Sequence, residues 1–310
     1  MALVAELMQA GEAVPLEVER CALEFYIAED ASRVDLKRRL LSVYRELDRQ
    51  PPDGLEQMVR DSFITEERET DYQEMMADYG RSVGQQDMEP AFLEDLAKVR
   101  RFTMTSVERL YALWDAVRYV ARSGLEGDLV EAGVWRGGSM MTAALSLQRS
   151  GDMTRTLWLF DTFSGLPAPD EELDVDILGN RAIDGWRPRA ESAESSLWAY
   201  ADEADVRANM ATTGYPEGRL RFVKGMVEET VPKEAPERIA LLRIDTDWYA
   251  SYKHLLEHLY DRVTPGGLVI FDDYGQFLGA RQAVDEFREA RGLSAPMFRV
   301  DFSCRIMPKF

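Results

Sequence analysis

The chain has 310 residues, 45% of them hydrophobic, which is enough for one large α/β domain plus an additional segment and excludes a largely disordered chain. Its 56 acidic residues against 37 basic ones leave a formal net charge of −19, a field that repels phosphate backbones and anionic lipid, so neither nucleic acid nor a membrane is expected as partner. No run of about 18 apolar residues occurs, no basic region precedes the short apolar patch at the amino terminus, and Cys21 and Cys304 stand far apart without CxxC or Cys/His spacing. A soluble, cytoplasmic protein with two core thiols is the expectation.

Residues 1–95 read as a helical, charge-rich extension. Leu36, Leu40, Tyr44 and Leu47 share one helical face after the cap candidate Ser32, and Pro51-Pro52 stops that helix. A second amphipathic segment carries Leu55, Met58, Val59 and Phe63, and the stretch from about 66 to 90 has no clear period. The segment holds no chemistry of its own, so it is read as packing for a homo-oligomer contact or as a lid.

The second domain is placed at 96–310. A helix with Leu113, Trp114, Val117 and Val120 on one face ends at Gly124. Apolar runs at Leu129–Val134, Thr156–Phe160, Arg221–Val223, Ile239–Ile244 and Gly267–Phe271 then alternate with helical segments, which predicts a parallel sheet covered on both faces. Phe298–Phe302 and Arg305–Met307 lie close enough for a hairpin, making the last strand antiparallel. Residues 164–200 interrupt the alternation, and their length marks either a substrate lid with Trp186, Trp198 and Tyr200 as stacking surface, or an ordinary insertion anchored by aromatics.

Chemistry concentrates at strand ends. Asp128-Leu-Val-Glu-Ala-Gly-Val-Trp-Arg-Gly-Gly-Ser139 reads as strand, Gly-rich turn and helix start, a ligand site or a plain tight turn. Trp135 occupies the central glycine position of a dinucleotide fingerprint, which disfavours a nicotinamide oxidoreductase. Glu131 or Arg136 is placed to meet a ligand's ammonium or carboxylate. Asp161 closes the second strand, where an acid accepts two ribose hydroxyls or simply caps a turn. The backbone of Lys224-Gly-Met-Val-Glu-Glu-Thr230, with Glu228, would flank an aromatic base or merely start a helix.

The most informative pattern is acidic. Ile244-Asp-Thr-Asp-Trp-Tyr249 and Phe271-Asp-Asp-Tyr274 tip successive strands, so Asp245, Asp247, Asp272 and Asp273 converge if those strands are neighbours. Such a cluster is relieved by a hard divalent cation, Mg, Mn or Ca, or by basic partners. His254 and His258 with Glu257 spell His-x-x-Glu-His, but they sit on a helix whose leucines face the sheet, so both are read as structural.

These strings together resemble the macrocin O-methyltransferase family of bacterial sugar-tailoring enzymes. The carriers are Thr103-Met-Thr-Ser-Val-Glu-Arg-Leu110, Gly127 to Gly138, Phe160-Asp-Thr-Phe-Ser-Gly-Leu-Pro167, Leu242-Arg-Ile-Asp-Thr-Asp-Trp-Tyr249, and Asp272-Asp-Tyr-Gly275 with Ala283-Val-Asp-Glu-Phe287. The resemblance implies a Rossmann-like class I methyltransferase fold: a mostly parallel seven-stranded sheet with an antiparallel last strand, here preceded by an N-terminal helical segment. It implies S-adenosylmethionine as donor, a Mg ion on Asp245, Asp272 and Asp273, Asp247 as general base, and a small-molecule glycoside as acceptor in antibiotic tailoring. The donor side then takes Glu131, Gly133, Trp135, Arg136, Gly137 and Ser139 from the first turn, Asp161, Thr162 and Phe163 from the second, Gly225 and Met226 from the third, and Asp245 at its edge. Thr246 stands where the family commonly has glycine, and the first 95 residues are unlike its usual start. Methyl transfer to an amino-sugar nitrogen or a catechol-like phenol, and a non-catalytic scaffold with solvated acids, are the rival readings.

Overall fold

A computed structural model describes residues 16–29, 34–61 and 87–310, which divide into two compact units, one up to residue 61 and one from residue 87 on. In the first, helices α1 (Leu16–Glu29) and α2 (Val34–Glu46) pack together, burying Leu23, Leu40, Leu41, Val43 and Tyr44. Arg39 on α2 spans to α1 through two bonds to the Glu19 carboxylate, 2.6 and 2.8 Å long. Helical residues 55–61 bury Leu55 and Val59 but leave Met58 exposed. Ser32, Phe63, nearly all of the aperiodic stretch and the side chain of Cys21 lie outside the described residues.

The second unit is built on a seven-stranded sheet in the order β5-β2-β1-β6-β7-β9-β8. Its members are β1 (Asp128–Ala132), β2 (Leu157–Asp161), β5 (Leu220–Lys224), β6 (Ile239–Ile244), β7 (Val263–Phe271), β8 (Phe298–Arg299) and β9 (Arg305–Pro308). The first five in sheet order are parallel, and β9 runs antiparallel to both β7 and β8. The expected fold class, including the antiparallel last strand, is therefore the observed one.

Alternating strand residues serve two cores. Leu129, Leu157, Leu159, Leu241 and Ile270 face helices α3 (Pro90–Val99), α4 (Val107–Arg122) and α5 (Gly138–Arg149), while Val130, Phe160, Leu242, Ile244 and Val269 face the helices that follow β6 and β7. Helix α3 gives Phe92, Leu96 and Val99 to the first core, so a boundary at 95/96 would fall inside a helix of this unit. Cys304 is buried and free. Among the described residues no helix is long and apolar enough to cross a membrane.

The interrupting segment is ordered. It contains a short helix, α6 (Ala182–Trp186), and a small hairpin, β3 (Ala190–Ser192) with β4 (Ser195–Ser196). After it come α7 (Glu203–Ala211) before β5, α8 (Val227–Thr230) after β5, α9 (Tyr249–Leu259) after β6 and α10 (Leu278–Ala290) after β7.

Candidate active site

Strand β1 ends because Gly133 turns the chain at φ +83°. A Cβ there would stand 1.8 Å from the Asp245 carbonyl oxygen, so only glycine lets the turn lie against the end of β6. Asp161, at the end of neighbouring β2, organises the turn. Its Oδ2 accepts the N–H of Val134 and Trp135 at 2.8 and 3.1 Å, and its Oδ1 accepts that of Phe163 at 2.8 Å. Burial pushes the Asp161 carboxyl up while these three amides pull it down, and burial prevails. The amides let Trp135 and Phe163 keep positive φ angles of 46° and 49°.

The acids meet as their strand positions foretold, but two arginines meet them. Arg243, next to last on β6 and register-paired with Glu131 on β1, binds the Glu131 and Asp245 carboxylates through Nη1, the latter at 2.7 Å. Its Nη2 donates to Asp272 Oδ1 at 2.6 Å and to Thr105 Oγ1 at 3.2 Å. Arg109 on α4 donates to Asp272 Oδ2 through Nη1 and to Asp301 Oδ2 through Nε, both at 2.6 Å. Among the described residues Asp273 has neutral donors alone: the Asp247 N–H at 3.1 Å and the Tyr252 hydroxyl at 2.9 Å.

The charge states follow from this division. Burial would raise Asp272, but Arg243 and Arg109 outweigh it and hold the carboxyl below the usual range. Burial lifts Asp245 to about 6 against the pull of Arg243, and lifts Glu131 to about 8. Asp247 and Asp273 are driven well above the carboxylate range, first by burial and then by the surrounding acids. Asp247 also occupies a strained backbone position, φ +63°, with Trp248 N–H donating to Thr246 C=O at 2.7 Å, a γ-turn centred on the acid.

A cavity of about 850 Å³ runs along these strand ends, at the large end of ligand-site volumes. Gly133, Trp135, Ser139, Asp161, Thr162, Gly225, Met226, Asp245, Asp247, Asp272 and Asp273 line it, joined by Glu228. Four expected donor residues do not. Arg136 points away, held by Asp205 on α7 at 2.8 and 3.2 Å, so it anchors the turn from outside. Gly137 packs toward Val206 and Met210 on α7. Phe163 is buried in the core against Phe222. Glu131 is buried beneath the acids as the partner of Arg243.

The interrupting segment walls the cavity with Trp198, which packs edge-to-face on Trp248 at 5.9 Å. Trp186 is instead a buried anchor whose indole donates to Leu166 C=O at 2.9 Å. Sequence reasoning missed Asp174, buried in this segment, which accepts the Tyr249 N–H at 2.8 Å at the start of α9. It missed Arg243 and Arg109 as well. A lone arginine inside an apolar strand opposite a strand glutamate was the available signal for the first.

Asp245, Asp272 and Asp273 each offer one carboxylate oxygen within 4.8 Å of the others, an all-oxygen set that fits a hard divalent cation. His254 and His258 stay structural. Their rings stack at 4.1 Å, and their nitrogens lie near the Val231 and His254 carbonyls at 3.0 and 2.9 Å.

Sheet order, glycine turn and strand-end cavity together define an enzyme of the class I O-methyltransferase fold. Residues 33–309 match the macrocin-O-methyltransferase (TylF) family, and the chain belongs to that family. It is 36% identical over 219 residues to the 8-demethyl-8-(2,3-dimethoxy-alpha-L-rhamnosyl)-tetracenomycin-C 4'-O-methyltransferase of Streptomyces olivaceus, covering 70% of this chain and 79% of that one. With the mycinamicin III 3''-O-methyltransferase of Micromonospora griseorubida it shares 33% identity over 207 residues, 64% of this chain and 75% of that one. The solved structure of the O-methyltransferase NovP superposes with a TM-score of 0.58 at 31% identity, over 67% of this chain and 82% of that one.

Proposed function

We propose that this enzyme transfers the methyl group of S-adenosylmethionine to a sugar hydroxyl of a glycosylated natural product, with a divalent cation, Mg by the hardness of the ligands, held by Asp245, Asp272 and Asp273. The observation that carries the reading is the convergence of those three carboxylates in the cavity that also contains the Gly133–Trp135 turn. Membership of an O-methyltransferase family supports the donor, and the rhamnosyl-tetracenomycin relative supports a sugar hydroxyl as acceptor.

A cation bound at these oxygens lowers the pKa of a hydroxyl presented to it. Asp247, lining the same cavity, takes the proton at its carboxylate. Burial and the neighbouring acids push the Asp247 carboxyl well above the usual carboxylate range, which strengthens it as a base once it is ionised. Asp161 holds the turn that receives the donor, and Gly225 beside it, its N–H donating to the Asp161 carbonyl at 3.0 Å, lines the cavity with Met226. Trp198 and Trp248 exclude water from the wall, and the rest of the rate comes from keeping the two reactants aligned.

Titration calorimetry with demethylated donor, then turnover with and without chelator, tests the reading. Asp247→Asn should lower kcat by about 10²–10⁴-fold while leaving donor affinity within about twofold. Full turnover in chelator removes the cation from the scheme, and full turnover of Asp247→Asn removes the base.

A further inference from the structure

The active-site cavity adjoins a second one of about 790 Å³ that shares Trp198, Gln276, Phe277 and Phe302 with it. Its outer wall is the turn 176–180, and that turn is firmly built. One Asp176 oxygen accepts the N–H of Leu178 and Asn180 at 2.8 and 2.9 Å, and the other accepts Asn180 Nδ2 at 2.9 Å. Gly179 supplies the left-handed step at φ +88°, and Ile177 N–H donates to the Gln276 carbonyl at 2.9 Å, pinning the turn to the segment before α10.

The turn presents apolar side chains to solvent. Ile177 is 53% exposed, Leu178 83% and Phe302, across the shared lining, 54%. Nothing in an aspartate-nucleated turn requires isoleucine and leucine at its tip. Exposed apolar side chains clustered on a rigid rim beside a catalytic cavity mark a docking surface.

We propose that this shelf receives the apolar aglycone of the acceptor while its sugar reaches the acids. The inference rests on the function proposed above and adds the surface that holds the part of the acceptor beyond its sugar. A sugar arrives either on an aglycone or on a nucleoside diphosphate, and charge separates the two. Among the described residues lining the second cavity, Arg181 is the one cation, and Asp184 holds it in a bidentate pair at 3.0 and 2.7 Å. Asp176, kept ionised by its bonds from Asn180 and the turn amides, adds negative charge to the same wall. A diphosphate there meets two carboxylates and one guanidinium already engaged, whereas an apolar ring system meets Ile177, Leu178, Phe277 and Phe302. Glycosyl transfer to the aglycone therefore precedes this methylation.

The test uses a set of hexosides and 6-deoxyhexosides, each prepared as methyl glycoside, 1-naphthyl glycoside and nucleoside-diphosphate sugar, and titrated into the enzyme with demethylated donor present. Naphthyl glycosides should bind at least about 10-fold tighter than the methyl glycosides of the same sugar, which corresponds to about 1.4 kcal/mol. The double variant Ile177→Asp/Leu178→Asp should lose that preference and keep donor affinity, and Leu178→Met should retain it. No naphthyl preference for any sugar, a preference for the nucleotide sugar, or a preference that survives the double variant overturns the proposal. Failure of the wild-type enzyme to bind demethylated donor would instead overturn the function on which it rests.

Discussion

Arg109→Met removes the side chain that joins the acidic centre to the C-terminal hairpin. In the wild type its guanidinium bridges Asp272 and Asp301 at 2.6 Å each, with both carboxylates largely out of water. Breaking a buried ion pair on one side costs about 3–5 kcal/mol, because the remaining charge stays buried. Here the lower end applies: Asp272 keeps Arg243, and Asp301 keeps the N–H of Ser303 and Cys304 and the Ser106 hydroxyl. A loss of about 3 kcal/mol in a domain of this size lowers Tm by about 6–12 °C. The assay is thermal unfolding in chelator for Arg109→Met, Asp301→Asn and the double variant. Because the two residues share one bond, the double variant should be less destabilised than the sum of the singles, by at least about 1 kcal/mol. Additive losses, or a Tm drop below about 2 °C for Arg109→Met, would refute the bridge as a stabilising element.

Other perturbations probe the turn and the acids. Gly133→Ala places a methyl group 1.8 Å from the Asp245 carbonyl at a positive φ, so it should abolish donor binding in calorimetry and lower Tm. Asp161→Asn leaves one acceptor oxygen for amides that now use two. Denaturant unfolding should show a loss of about 1–3 kcal/mol together with weaker donor binding. The pH dependence of stability in chelator has a definite sign: Asp245 at about 6 and Glu131 at about 8 hold protons in the folded state that the unfolded chain releases, so Tm should fall as pH rises from about 5 to 8. A flat or rising Tm over that window would contradict the assignment of these two as protonated buried acids. Saturating Mg should flatten the part of the decline that comes from Asp245, since a cation at its oxygens favours the ionised form.

The strands were legible where apolar runs met a clean stop. Ile239–Ile244 appears as expected because a strand buried on both faces leaves an uninterrupted run that ends at acids. Strand β7 begins four residues earlier than expected, since Pro265-Gly266-Gly267 reads as a break, yet pairing of Val263 with Ile239 continues the strand through it. Side-chain direction was the harder matter. Arg136 and Trp135 are adjacent in one turn, and only the fold puts the tryptophan in the cavity and the arginine on α7. Glu131 looked available to a ligand because the register placing Arg243 beside it depends on which strand β1 pairs with, a long-range fact.

Repulsion among four acids is a weaker argument for a cation than the sequence alone suggests, since Arg243 and Arg109 already neutralise much of the charge on Asp245 and Asp272. The argument moves to the other half of the centre, where Asp273 has neutral donors and Asp247 sits on strained backbone. A positive φ at a non-glycine residue costs on the order of 1–3 kcal/mol and survives only where its surroundings over-determine it. The over-determination is visible. Trp248 Nε1 donates to the Pro167 carbonyl at 3.0 Å, and Tyr249 N–H donates to Asp174 at 2.8 Å, so both residues after Asp247 are tied to the segment that interrupts the sheet alternation. That segment therefore both walls the cavity and holds the candidate base in its turn. Removing the Asp174 carboxylate should relax φ at Asp247 and lower turnover, read as a fall in kcat with donor affinity kept.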